Sequence, residues 1–175
     1  MATDVDELYQ QVLVDLEKWD LEKAEESLRQ ILDVEPSHAR AWNKLGVVFA
    51  RKKDLRQAED CFNLALQNDP QLASAYSNVG NIYAERGWTD RAKTAYEQAL
   101  ALDPGNPTAT HNLGVLYRKS GEIGKGVDLL KQANRAERSR LKREVRSSHE
   151  TRKVMRTGWI IVIVIGVIVL FLLNR

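Results

Sequence analysis

A single cysteine, Cys61, stands among 175 residues, so no disulfide can form within the chain. The fold must then be held by burial, and a reducing compartment suits it. The three histidines, His38, His111 and His149, are scattered, and no pair has the close helical spacing of a metal site. There is no glycine-rich phosphate loop and no Ser, His and Asp signature. Cys61, next to Phe62, reads as a small packing residue rather than a nucleophile. These absences exclude the common enzyme chemistries: no catalytic residue, metal ligand or cofactor is expected, and no small-molecule ligand.

The amino terminus, MATDVDELYQ, lacks both the basic-then-apolar order of a secretory signal and the arginines of a mitochondrial presequence. No export is expected from it. Basic charge is scarce where most of the chain lies: residues 1–134 carry 16 Lys and Arg against 21 Asp and Glu, whereas residues 135–175 carry 10 against 3. The larger part therefore offers phosphates no electrostatic footprint, and nucleic acid is set aside as a partner.

What the chain does have is a repeat. Trp42, Leu45, Gly46 and Phe49 recur 34 residues later as Tyr76, Val79, Gly80 and Tyr83, and again as Thr110, Leu113, Gly114 and Tyr117. Ala58, Phe62, Ala65 and Pro70 become Ala92, Tyr96, Ala99 and Pro104, then Gly126, Leu130 and Ala133, with Arg138 where the proline fails. One period upstream, Leu8, Gln11, Val12 and Asp15 have lost the pattern, while Ala24, Leu28, Ile31 and Pro36 keep it.

Each unit holds two amphipathic stripes with apolar residues three or four apart, joined at short polar turns, and so reads as a helical hairpin. A glycine in mid-helix costs about 1 kcal/mol against alanine. Gly46, Gly80 and Gly114 repeat that cost in register, which points to a neighbouring helix passing close by. Pro70 and Pro104 stop the second helices. Gly87 and Gly121 suit a left-handed turn that Trp19 and Lys53 fit less comfortably. One hairpin cannot bury both faces, so hairpins stack and the end units must tolerate water. Asp15, at an aromatic position, is expected on such a terminal face, as are the eleven acids among residues 1–35.

The spacing resembles the tetratricopeptide repeat (TPR), with its two aromatics, Leu-Gly pair, two alanines and closing proline. The resemblance covers roughly Val5 to Arg140. It implies an all-α fold, a right-handed TPR-type solenoid of about four hairpins at 5–38, 39–72, 73–106 and 107–140, in a domain spanning 1–134. In such stacks the first helix of each unit lines a concave groove. Carried over, the ligand-facing positions are Asn43, Lys44, Val47 and Arg51; Ser77, Asn78, Asn81 and Glu85; His111, Asn112, Val115 and Lys119. Asn78 and Asn112 resemble an asparagine ladder that holds a peptide main chain, since an amide both donates and accepts. The carboxylate clamp for chaperone termini would ask for Lys, Asn, Asn, Lys and Arg at Asn43, Val47, Asn78, Thr108 and Asn112, and matches once. A protein or peptide ligand in the groove is expected, of another kind than that clamp takes. A structural subunit packed permanently into a membrane assembly is the competing reading.

Long apolar runs are absent until the end. Residues 135–157 form a basic capping helix and stalk; then 158–173, closing on WIIVIVIGVIVLFLL, show no polar face. Fifteen residues span roughly 22 Å as a helix, enough for a thin bilayer once Arg156 and Arg175 snorkel to the interfaces. The nine Lys and Arg between 135 and 156 keep that side cytoplasmic. A single-pass, carboxyl-terminal anchor with cytoplasmic repeats is thus expected. A chain cut after Met155 should be soluble and helical, while the full chain should resist alkaline carbonate extraction. Recovery of the full chain in the carbonate supernatant would defeat the span.

Overall fold

The computed structural model describes residues 4–139, 141–143 and 145. It divides into two units, Met1–Ala133 and Asn134–Arg175. The first holds the helices α1 (Val5–Glu17), α2 (Leu21–Val34), α3 (Ala39–Arg51), α4 (Leu55–Asn68), α5 (Ala73–Glu85), α6 (Thr89–Leu102) and α7 (Pro107–Lys119), and an eighth, α8, over 123–133. In the second unit residues 134–139, 141–143 and 145 are helical. Among the described residues there is no strand, and no helix is long and apolar enough to cross a membrane. The expected apolar span at 158–173 and the stalk from 146 onward lie outside the described residues.

Local chemistry sets the helix ends. Asp4, Asp20, Asp54, His38 and Asn106 each cap a helix by accepting from a backbone N–H in its first turn, which is worth about 1 kcal/mol per cap. His38 is thereby a cap through Nδ1, 3.0 Å from the Ala41 N–H. Leu72 and Trp88 occupy cap positions without a side-chain bond. Four turns close the hairpins with a residue at positive φ: Trp19 at 60°, Lys53 at 66°, Gly87 at 77° and Gly121 at 88°. Glycine adopts that conformation freely, whereas the two side-chain-bearing residues carry a strain of roughly 1–3 kcal/mol.

Helices pack in the order the period requires: α1 on α2, α3 on α4, α5 on α6, then each hairpin on the next through α2 and α3, α4 and α5, α6 and α7. Within a hairpin the repeated glycine meets the ring of the facing helix. A Cβ on Gly80 would lie 2.6 Å from Cε1 of Tyr96, and one on Gly46 would lie 2.5 Å from Cε1 of Phe62. Tyr96 and Phe62 are 1% exposed, so neither ring has room to move aside. At α7 and α8 the contact is closer to the backbone: a Cβ on Gly126, at the position of Ala58 and Ala92, would approach the Gly114 carbonyl to 2.7 Å. The smaller residue there accompanies a closer approach.

The first hairpin, α1 with α2, is complete although α1 lacks the repeat signature. Asp15 corrects the sequence expectation, for it is 5% exposed rather than on a wet face. Its carboxylate accepts from Gln11 Nε2 at 2.8 Å, which satisfies a charge that burial would otherwise penalise. Polar contacts also fix one hairpin against the next. Lys52 at the end of α3 reaches back to Glu25 at 2.9 Å, and Arg86, 34 residues on, pairs with Glu59. One period later the acid has become Lys93 and the cation Ser120, and Lys93 turns instead to Glu122 at 3.4 Å.

Two outcomes are expected. Gly80→Ala should lower stability by about 1–3 kcal/mol through overpacking against Tyr96, while Glu85→Ala, exposed, should stay near neutral. Equal urea midpoints for the two would refute this close-approach account. The Glu25 carboxyl is held below its ordinary range, first by the Lys52 hydrogen bond and then by that of Arg29. A depressed folded-state pKa contributes stability above the unfolded value and loses it as pH falls through the folded one. Glu25→Gln should therefore flatten part of the acid side of a midpoint against pH curve; an unchanged slope would deny the pair a role.

Candidate functional site

The first helices of the second, third and fourth hairpins are neighbours, α3 beside α5 and α5 beside α7. Two clefts open along them and meet at Asn81. The first, about 400 Å³, is lined by Val47, Ala50, Arg51, Asn78, Asn81, Ile82 and Glu85 from α3 and α5, by Phe62 from below, and by Trp19 and Lys53 from the turns. The second, about 220 Å³, is lined by Asn81, Ala84, Asn112, Val115, Leu116 and Lys119, with Tyr96 from below. Eight of the twelve expected residues thus come together: Val47, Arg51, Asn78, Asn81, Glu85, Asn112, Val115 and Lys119. A larger but more open hollow of about 790 Å³ at Gly87–Arg91 holds none of them.

Four do not line the clefts. Asn43 and Ser77 are 6% and 2% exposed. The Ser77 hydroxyl lies 3.2 Å from both the Ala73 carbonyl and Asn106 Oδ1, and so serves the stack rather than a ligand. Lys44 is half-buried, and that burial, then the charge of Arg51, lowers its pKa. His111 is exposed but away from both clefts. Asn43 and Ser77, expected to face a ligand, are instead covered, Asn43 bonding Ser74 and Ser77 lying against Asn106 of the following hairpin.

The asparagines are linked to one another. Asn43 Nδ2 donates to Ser74 Oγ at 3.1 Å, and its Oδ1 accepts from Asn78 Nδ2 at 2.9 Å. In the next interval Asn81 Oδ1 accepts from Tyr96 Oη at 2.8 Å and from Asn112 Nδ2 at 2.7 Å. Asn78 and Asn112 each therefore spend one N–H on a partner and keep one N–H and the carbonyl oxygen. Asn81 keeps both N–H groups. Burial pushes the Tyr96 hydroxyl up to about 12, so it stays a donor at any physiological pH.

Arg51 is not a free groove cation. Its Nη1 donates to the Leu16 carbonyl at 2.6 Å, and its guanidinium lies 4.6 Å from the centroid of the Trp19 ring. It ties the second hairpin to the end of α1, at a carbonyl that also accepts from the Trp19 N–H at 3.4 Å. Lys53 and Glu85 face each other across the rim at 3.8 Å. The sequence did not single out eight of the cleft residues as such: Trp19, Ala50, Lys53, Phe62, Ile82, Ala84, Tyr96 and Leu116. The positive-φ slot marked Trp19, and the alternation Phe62, Tyr96 between equivalent positions marked the hydroxyl, but neither signal says where a side chain ends. Cys61 is buried, and that burial, then the Asp60 charge, pushes its thiol up to about 11, away from nucleophilic use. Among the described residues no three His, Cys, Asp or Glu gather as metal ligands.

Comparison with known proteins agrees with this architecture. Residues 9–73 match the family described as tetratricopeptide repeat, and residues 80–121 the one described as TPR repeat. No curated protein sequence matches the chain. Among solved structures it is similar to MamA, at 25% identity and a TM-score of 0.64, over 79% of this chain and 81% of that one. It is also similar to pilF of Pseudomonas aeruginosa, at 25% identity and 0.69, over 77% of this chain and 61% of that one. The first TPR of Spaghetti (RPAP3), solved with the HSP90 peptide SRMEEVD, shares the fold at 21% identity and a TM-score of 0.62, over 69% of this chain and 96% of that one. Hairpins in 34-residue phase, glycine-to-ring contacts and both sequence matches converge: the chain belongs to the tetratricopeptide-repeat family.

Proposed function

We propose that this chain is a membrane-tethered adaptor whose clefts along α3, α5 and α7 hold an extended segment of a protein partner on the cytoplasmic side. The observation that carries the reading is the pair of anchored amides. Asn78 and Asn112 stand one period apart with one donor and one acceptor each to spare, the complement of a peptide unit. Their orientation is set before a ligand arrives, which lowers the entropy that binding must lose. Between them Asn81 offers N–H groups alone, and Lys119 at the far end makes that half receptive to acidic side chains, with an affinity that falls as salt rises. The solved RPAP3 neighbour holds a peptide on the same kind of stack. This groove lacks the lysines and arginine of the carboxylate clamp, so a different ligand is proposed.

The tether rests on the sequence of 158–173 and its basic flank. An adaptor is preferred to a permanently packed subunit because the large apolar residues exposed on the stack, Val14, Trp19, Val34, Trp88, Leu102 and Ile123, are spread over several helices and turns, and an obligate interface is generally richer in apolar surface.

Asn112→Ala is the cleaner probe of the two ladder positions. Asn81 Oδ1 retains Tyr96 when Asn112 is lost, whereas Asn78→Ala strands the buried Asn43 carbonyl. Partner recovery from detergent extracts should drop about five- to a hundredfold with Asn112→Ala, as two lost hydrogen bonds imply, and further when Lys119→Ala is added, without loss of helical signal. Unchanged recovery by the folded double variant would remove the groove as the binding surface.

A further inference from the structure

Trp19 is 67% exposed and held at a φ of 60°. Equivalent turn positions in the third and fourth hairpins are Gly87 and Gly121. A tryptophan in that conformation is strained where glycine is at ease, and with most of its ring in water it contributes little to a core. The same holds for Lys53, the other side-chain-bearing residue at positive φ. Both line the first cleft. The turns that border the cleft are the two that carry side chains in the left-handed conformation.

The cleft itself has an uncharged floor of Val47, Ala50, Phe62 and Ile82. Phe62 stands where the next hairpin has Tyr96, so the hydroxyl that makes the second cleft polar is missing from the first. The charged groups at its rim have partners within the stack. Lys53 and Glu85 face each other, and the Arg51 guanidinium is occupied by the Leu16 carbonyl and the Trp19 ring. Asn78 and Asn81, at the edge of that floor, are amides suited to a main chain, for which a lipid tail has no use.

We infer that the first cleft is an anchor pocket for one bulky uncharged side chain, aromatic or branched aliphatic, of a bound polypeptide segment, with Trp19 as the specificity-determining wall. The inference rests on the groove reading above and adds its side-chain preference. Arg51 acts through Trp19, fixing the indole at the mouth of the pocket as a rigid aromatic surface of the kind that dominates recognition hot spots. The first hairpin thereby contributes to binding, although its own first helix has lost the repeat signature.

The test uses the full chain in detergent micelles and a phage-displayed library of random linear peptides. Selected peptides should share Trp, Phe, Leu, Ile or Val at one register position. Trp19→Gly should weaken them about tenfold or more while leaving the melting temperature unchanged or higher, because glycine relieves the backbone at φ 60°. Trp19→Phe, which keeps a ring at the wall, should retain affinity within a few-fold. Peptides without a shared bulky position, equal affinity for Trp19→Gly, or a Trp19→Phe chain that is folded but as weak as Trp19→Gly would each overturn the pocket. If no peptide is enriched, or Asn112→Ala leaves every selected peptide untouched, the groove reading fails first and the pocket with it.

Discussion

Everything in the stack depends on how closely the two helices of a hairpin approach where a glycine faces a ring. Gly46 under Phe62 and Gly80 under Tyr96 leave no space for a Cβ, so each ring is held against the facing helix and almost wholly covered. Each ring also lies beneath a cleft. The Tyr96 hydroxyl reaches Asn81 because its ring passes over Gly80, and Phe62 presents carbon to the first cleft for the same reason. A packing constraint that exists to close hairpins thus also decides the polarity of the surface beside α3, α5 and α7. Substituting the ring changes core and cleft together, whereas Trp19, Asn112 and Lys119 lie at the cleft without carrying the hairpin contact.

Much of this was legible in the sequence because it recurs. The 34-residue phase gives hairpin boundaries, the glycines mark close approach, and the prolines mark helix ends; α3 to α6 follow that reading closely. What recurs less is harder to see. Asn78 bonds Asn43, 35 residues away, but Asn112 bonds Asn81, 31 away, because Lys44 and Val47 break the series in the second hairpin. Equivalent residues therefore have inequivalent partners, and periodicity alone cannot assign them. Asn43 and Ser77 carry polar side chains on the expected face, yet packing against the next hairpin covers them. Asp15 shows the same failure at the end of the stack: a charge suggested water, and a hydrogen bond from Gln11 made burial tolerable.

The ion pairs between hairpins illustrate how a repeat keeps register without large energies. Lys52 with Glu25 is a surface pair worth at most about 1 kcal/mol, and Arg86 with Glu59 is its partly buried counterpart. Their value lies in spacing, since a one-turn slip of either hairpin would separate both partners. Where the pattern lapses, at Lys93 and Ser120, a substitute acid at Glu122 takes the cation. Tolerance of this kind explains how the fourth hairpin can lose its aromatic to Thr110 and its ring to Leu130 and still pack: the period supplies the geometry, and any residue of suitable size fills it.

Stability and recognition pull apart at the turns. Glycine at all four positive-φ positions would relax the backbone, yet Trp19 and Lys53 occupy two of them, and both face the cleft with the apolar floor. Strain that buys no burial is retained in folded proteins mainly where side chains meet something else. The stack can sustain it because each hairpin leans on its neighbours, so a local cost at one turn is spread over contacts on both sides. The amide network adds the complementary device. Asn78 and Asn112 lose rotamer freedom on folding rather than on binding, and keep enough hydrogen-bonding capacity for a peptide unit. In the groove proposed above, a rigid polar row beside a strained aromatic wall divides the work: the row is suited to a main chain of any sequence, and the wall to distinguishing one side chain from another.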